Sequence, residues 1–356
     1  MKMKAAVYYG PGDIRLEEIE RPTAGTEGVV VKVRACGVCP IIDLGAWKIW
    51  SVRGTGLALG HEFVGDVVEL GDKVTAVKKG DRVYGLSFRP CHTCDWCRIG
   101  SYWRCNNWMA GMKGKHGAFA EYFWFPFATE ENIVKLPDNL SYHELAFIEP
   151  LSLSIGLSRK AKDGDVVIVI GQHLVGLGTV ACLKEQGIAK VITSDISQKR
   201  LEASRELGAD VIVDTVNEDI AKVVMKETAG EGADLVIVSD ESPGSLLQAI
   251  GSVRRGGDIW LANSFTLGDK LGSWAGPGGL VSGPIPAALP ISASIQTSWG
   301  TLGPRAPRFL EAMGLIDSGK ITAKKHVTHV FPLDKIKEAF EIANNPHESI
   351  EVIVEP

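Results

Sequence analysis

Apolar positions follow two different regimes along the chain. Up to about residue 150 they come in short β-branched runs broken by Gly, Pro and Asp, as in Val29-Val30-Val31-Lys32-Val33, Phe63–Leu70 and Val83-Tyr84-Gly85. Strands of that length between tight turns predict a β-rich, barrel-like domain. From Asp165 the pattern changes: Val166–Ile170 is an unbroken apolar run, followed by a helical segment over 176–186 that stops at Gly187. Further strands are predicted at 190–194, 211–213, 234–238 and 257–261, with helices near 198–207, 217–228 and 244–252. Apolar strands without polar alternation, separated by helices, predict a parallel sheet covered on both faces. Residues 268–290 are dense in Gly and Pro and predict a long loop, after which helices over 305–318 and 334–344 alternate with strands at 326–331 and 350–354. The fold class is α/β, with no internal repeat.

Composition narrows the function. The chain has 356 residues, enough for two domains, and its formal charge of -5 argues against a nucleic-acid or anionic-membrane partner. The apolar run Ala5–Tyr9 is too short for a secretory leader, and no stretch reaches membrane-spanning length. A cytoplasmic enzyme is expected.

Cysteine spacing is the strongest chemical signal. Cys91, Cys94, Cys97 and Cys105 lie in one Cys-x2-Cys-x2-Cys-x7-Cys lobe. Four thiolates on a short loop complete a zinc tetrahedron and leave no open position, so this metal would be structural. The competing reading is a pair of disulfides, which a reducing compartment disfavours. His92 and Trp96 are then bystanders. A second, open donor set is spread over the chain: Cys39, the pair His61-Glu62 after Gly60, and Glu149 before Pro150. One thiolate, one imidazole and one or two carboxylates suit a catalytic zinc, though each residue taken singly is weak evidence.

Gly171-Gln172-His173-Leu174-Val175-Gly176 stands where a strand gives way to a helix, the place where a dinucleotide pyrophosphate rests on backbone amides. The glycine fingerprint is incomplete, because His173 occupies its middle position. Asp195 ends the next strand and suits a bidentate grip on ribose hydroxyls, which favours NAD over NADP, while Lys199 and Arg200 keep NADP in play.

Taken together, Gly37-Val38-Cys39, Gly60-His61-Glu62, the four-cysteine lobe, Glu149-Pro150-Leu151-Ser152, the Gly171 loop and Asp195 resemble the zinc-containing medium-chain dehydrogenase/reductase family, most closely its polyol (sorbitol-type) branch. The resemblance implies a GroES-like catalytic domain over 1–155 completed by 297–356, and a Rossmann domain over 156–296. It implies Cys39 and His61 as zinc ligands, with Glu62 and Glu149 completing the site directly or through water. The implied reaction is hydride exchange between a secondary alcohol, polyol or cyclic alcohol and NAD, with two zinc ions per chain. Three departures stand out. Ile41 and Ile42 occupy positions where relatives carry a relay hydroxyl, Gly45 lies where many place a histidine, and His173 replaces a glycine. They leave room for a resident-NAD cycle with a net lyase or hydrolase outcome, or for a non-catalytic zinc and nucleotide-binding protein. Trp47, Trp50, Trp108, Met109 and Met112 are substrate-wall candidates or core filler. The alternating run Ile291–Gln296 predicts an edge strand, and with the resemblance a homodimer or homotetramer.

Overall fold

A computed structural model of the chain describes residues 1–48, 55–85, 88–89, 93–99, 105, 109–110, 117–125, 128–130, 132–240, 242–262, 266–267, 273–274, 294–297, 305–322 and 324–356. Cys91, Trp50, Trp108, Met112 and most of the Gly/Pro-rich loop lie outside the described residues.

The chain divides into two compact units, one formed by Met1–Glu149 with Pro304–Pro356 and the other by Pro150–Gly303. The first is built on a seven-stranded sheet whose main path runs Ile133–Lys135, Arg82–Gly85, Glu62–Leu70, Val29–Gly37, Glu351–Glu355, Val327–Pro332. Val29–Gly37 is its hub. Val29, Val30, Val31 and Val33 are buried, as the β-branched run predicts, and the strand pairs antiparallel with Glu62–Leu70, Tyr122–Phe125 and Glu351–Glu355. The register sets Gly37 opposite Glu62 on one side and Ile353 on the other, so residues from the two ends of the chain meet at one strand terminus. Phe63, Phe119, Phe123, Phe125 and Phe340 fill the core beneath.

The second unit carries a six-stranded parallel sheet in the order Val211–Asp214, Lys190–Asp195, Val166–Ile170, Ala233–Val238, Val253–Leu261, Ser294–Thr297. Val166–Ile170, the first strand of this sheet along the chain, lies between Lys190–Asp195 and Ala233–Val238, from which the winding runs outward in opposite directions, so its carboxyl end is the topological switch point where such sheets bind ligands. The helix Leu174–Glu185 is buried from Leu174 to Leu183, which explains why its sequence shows no polar face. Observed elements agree with the predicted ones to within a few residues, helix ends included. Ser294–Thr297, at the end of the sheet, is the described part of the predicted edge strand. No helix among the described residues is long and apolar enough to cross a membrane.

Candidate active site

The sheet register gathers a candidate metal-donor set at the Gly37 end of the hub strand. Cys39 follows the hub strand by two residues, and His61-Glu62 open the neighbouring strand, so a thiol, an imidazole and a carboxylate converge with donor atoms within 4.8 Å of one another. Cys39 and Glu62 are buried, and His61 is nearly so. Asp43, in the first turn of the short helix Ile42–Lys48, holds the loop together from beneath: its carboxylate accepts from the Cys39 amide at 3.1 Å and the Gly60 amide at 3.4 Å. It also faces His61 Nδ1 at 3.8 Å, which leaves Nε2 on the side of Glu62 Oε1, 4.0 Å away. A carboxylate behind a ligating imidazole fixes the ring and raises its basicity. The Ile42 amide donates to Cys39 Sγ at 3.4 Å and favours the thiolate.

The electrostatics of this pocket suit a cation. Burial first, then Glu62 and Asp43, push the Cys39 thiol well above its ordinary range. Burial, Glu351, Glu149 and Asp43, in that order, push the Glu62 carboxyl up as well. Glu351, 5 % exposed on the last strand, is raised by burial and then by Asp43. The Oε2 atoms of Glu62 and Glu351 have no hydrogen-bond partner among the described residues. Several buried acids with one imidazole among them are costly unless a positive charge compensates them. A zinc ion, with its preference for S, N and O donors, fits this set.

Of the four residues expected at this centre, the structure brings Cys39, His61 and Glu62 together. Glu149, in the first turn of the helix Ile148–Ser158, is near enough for its charge to act on Cys39 and Glu62 but stands outside the tight trio. Asp43 and Glu351 were not expected. Asp43 was visible four residues after Cys39, whereas Glu351 has no local signal, being brought in by strand pairing alone.

In the cysteine lobe, Cys94, Cys97 and Cys105 also place their sulfurs within 4.8 Å of one another, while Cys91 lies outside the described residues. The Cys94–Cys97 Sγ separation of 3.6 Å is far beyond a covalent bond of about 2.05 Å, so the disulfide reading does not describe this pair. The short helix Asp95–Arg98 supplies the turn that closes the loop.

The nucleotide loop is built differently. Gly171 has φ +84°, and a Cβ on Gly176 would lie 2.0 Å from the Gly171 carbonyl, so both positions demand glycine. His173 caps the helix: Nδ1 accepts from the Val175 amide at 3.2 Å and Nε2 lies 2.6 Å from the Ser239 carbonyl. An amide only donates and a carbonyl only accepts, so the ring is neutral with its proton on Nε2. Its side chain therefore engages an amide of the kind that phosphate uses at helix N-termini. Leu174 and Val175 are buried in the first turn of that helix. Asp195 ends its strand with one oxygen accepting from Gln172 N at 2.6 Å and the other from Ser197 N at 2.9 Å, each keeping a lone pair for a hydroxyl. Arg200 carries the attraction of Asp195 and Asp240, although burial lowers its pKa. Asp240, which the sequence reading missed, stands against Gly171. Burial drives its carboxyl up to about 6, with Ser245 Oγ and the Ser242 amide donating to it in opposition.

Comparison with known proteins agrees with this geometry. Residues 25–138 match the alcohol dehydrogenase GroES-like domain, and residues 175–267 match the zinc-binding dehydrogenase family. The chain is 31 % identical to the D-arabitol-phosphate dehydrogenase of Enterococcus avium, over 99 % of its own length and 97 % of that protein. It is 29 % identical to the erythritol/L-threitol dehydrogenase of Mycolicibacterium smegmatis, over 100 % of its length and 98 % of the relative. Among solved structures, an alcohol dehydrogenase from Thermus sp. ATN1 superposes with a TM-score of 0.85 at 27 % identity, covering 99 % of this chain and all of the other. With a buried Cys-His-Glu donor set in a GroES-like sheet and a Rossmann sheet beside it in sequence, the chain belongs to the zinc-containing medium-chain dehydrogenases, in their alcohol and polyol branch.

Proposed function

We propose that the protein oxidises a secondary alcohol or polyol, or reduces the matching ketone, with NAD as the hydride partner. The observation that carries this reading is the buried Cys39, His61 and Glu62 trio in an acid-rich pocket. Zinc bound there supplies a Lewis acid that polarises the substrate oxygen, and nicotinamide supplies the hydride acceptor. The residues do the rest. Asp43 orients His61 and clamps the Cys39 loop, and the Ile42 amide steadies the thiolate. Glu149, close enough to influence Cys39 and Glu62 but outside the trio, is the carboxylate placed to take the hydroxyl proton at its Oε atoms, a role the isoleucines at 41 and 42 leave vacant. Asp195 grips ribose hydroxyls and disfavours a phosphate on the 2′ oxygen, so NAD is preferred over NADP. Cys94, Cys97 and Cys105, with Cys91 as the fourth thiol of the sequence spacing, would hold a structural zinc.

Two assembly features follow. The strand Ser294–Thr297, the outermost of its sheet among the described residues, is suited to pairing with a second copy, giving a homodimer or homotetramer, which sedimentation would reveal; a monomer at all concentrations would refute it. The unbridged cysteines among the described residues fit a reducing cytoplasm. The deciding experiment is a panel of polyols and simple secondary alcohols with zinc-loaded protein, read by NADH absorbance. Turnover that Cys39→Ser abolishes supports the reading, and no turnover of any alcohol or ketone by the metal-replete native enzyme sinks it.

A further inference from the structure

Asp240 has no part in the reaction outlined above, yet the sheet delivers it to the nucleotide loop. The strand Val166–Ile170 that feeds the loop lies between two neighbours, and the register sets Ile170 level with Ser194 on one side and Val238 on the other. Asp195 and Asp240 therefore emerge from the carboxyl ends of the two flanking strands, on either side of one loop. Asp195 accepts from the Gln172 amide at 2.6 Å, and a Cβ on Gly171 would lie 2.8 Å from Asp240 Cβ. The turn that carries Asp240 is tied to the loop, because Ser239 Oγ donates to the Gly171 carbonyl at 2.6 Å. The carboxyl itself is pinned by Ser245 Oγ at 2.7 Å and the Ser242 amide at 3.1 Å. Burial brings it up to about 6, so it carries a negative charge at pH 8. Arg200 is attracted by both acids. It stands in the first turn of the helix Gln198–Glu206, where the helix dipole disfavours a cation, and the two carboxylates offset that position.

We propose that Asp240 is a specificity-determining residue for the cofactor: together with Asp195 it occupies Arg200 and sets a second fixed negative charge at the ribose-binding end of the nucleotide site, which excludes a 2′-phosphate and selects NAD. An arginine close to the ribose acid is the group that would otherwise receive the 2′-phosphate of NADP. One carboxylate with one guanidinium leaves no net charge, and such a pair can open to admit a phosphate. Two carboxylates around one guanidinium leave a net negative charge, which repels it. Asp195 alone thus leaves the choice of cofactor weakly set, and Asp240 completes it. The inference rests on the reading of the Gly171 loop and Asp195 as the NAD site.

The test is titration calorimetry of full-length, zinc-loaded protein with NAD and with NADP at pH 8, reading the ratio of the two affinities. Asp240→Asn removes the charge and keeps the shape, since its amide oxygen accepts from the Ser242 amide and its NH2 donates to Ser245 Oγ. It is expected to tighten NADP about 10-fold and to change NAD by less than about threefold, because the lost charge acts chiefly on the added phosphate. Arg200→Ala on the Asp240→Asn background is expected to remove most of that gain, as the released guanidinium is what the phosphate meets. A purely structural role for Asp240 would move both cofactors together and leave the ratio unchanged. Circular dichroism verifies the fold, and Asp240→Ala carries the same comparison should Asp240→Asn fail to fold. A folded variant with the native affinity ratio overturns the proposal while leaving the NAD site standing, and so does native protein that binds NADP as tightly as NAD. Native protein that binds neither cofactor overturns the nucleotide site and this inference with it.

Discussion

The metal centre and the nucleotide loop differ in how far each satisfies its own polar groups. At the loop, His173 uses both ring nitrogens, Asp195 both oxygens, and Asp240 accepts from two donors. Among the described residues there, the neutral Gln172 Oε1 and Ser194 Oγ go without. At the metal centre, carboxylate oxygens of Glu62 and Glu351 are left without a hydrogen-bond partner among the described residues. A buried neutral orphan costs about 1–3 kcal/mol, and an uncompensated buried charge costs more. The loop is therefore a finished structure that a cofactor must enter, whereas the metal centre is an unfinished one that its ion completes.

The largest effect expected from this contrast is that of metal removal. Chelation of the protein, or Cys39→Ser, should cut alcohol turnover by more than about 100-fold, since Lewis-acid stabilisation is worth several kcal/mol. Calorimetric NAD affinity should hold within about twofold, because the loop satisfies itself without the metal. An equal collapse of NAD affinity would break the comparison.

Next comes Asp43→Ala, which strands the Cys39 and Gly60 amides and frees His61. Zinc affinity by chelator competition should drop about 10- to 100-fold, with a loss of about 1–3 kcal/mol in denaturant unfolding.

His173→Gly probes the other side. Without the imidazole the Val175 amide is free for phosphate, so NAD should bind about two- to fivefold tighter by titration calorimetry. The lost cap should cost the apo protein about 1 kcal/mol. Unchanged or weaker NAD binding would show that His173 is compatible with the cofactor as it stands.

The smallest effect concerns Asp240. Its folded pKa, about 6, lies above the ordinary 3.8, so the folded state keeps a proton that the unfolded chain gives up. The stability this confers is complete at low pH and is lost as pH rises from the lower value through the upper one. Asp240→Asn, which cannot ionise, should gain about 2–4 °C in melting temperature on the native protein near pH 8 and little near pH 4. A pH-independent difference would place the shift elsewhere.

The sequence by itself determined much of this protein. Short unbroken runs of β-branched residues between turn signals read as strands buried on both faces, so Val166–Ile170 and its successors declared a parallel sheet. Short β-branched runs between Gly and Pro declared the other sheet. Cysteine spacing named a metal lobe, because a loop that short brings its thiols together whatever surrounds it, and Gly171 with Gly176 marked a turn that only glycine can make. Local geometry governs all of these, and local geometry is what a sequence displays. Tertiary structure decided the rest. It set Glu351 behind Glu62, since strand register between distant segments is chosen by the packing of whole sheet faces. It separated Glu149 from the trio, and it showed that His173 is a helix cap rather than a mere defect in a fingerprint. It put Asp240 against Gly171 through the neighbouring strand. Apart from the local His173–Val175 cap, these placements join residues far apart in the chain, and only folding brings them close enough to act on one another.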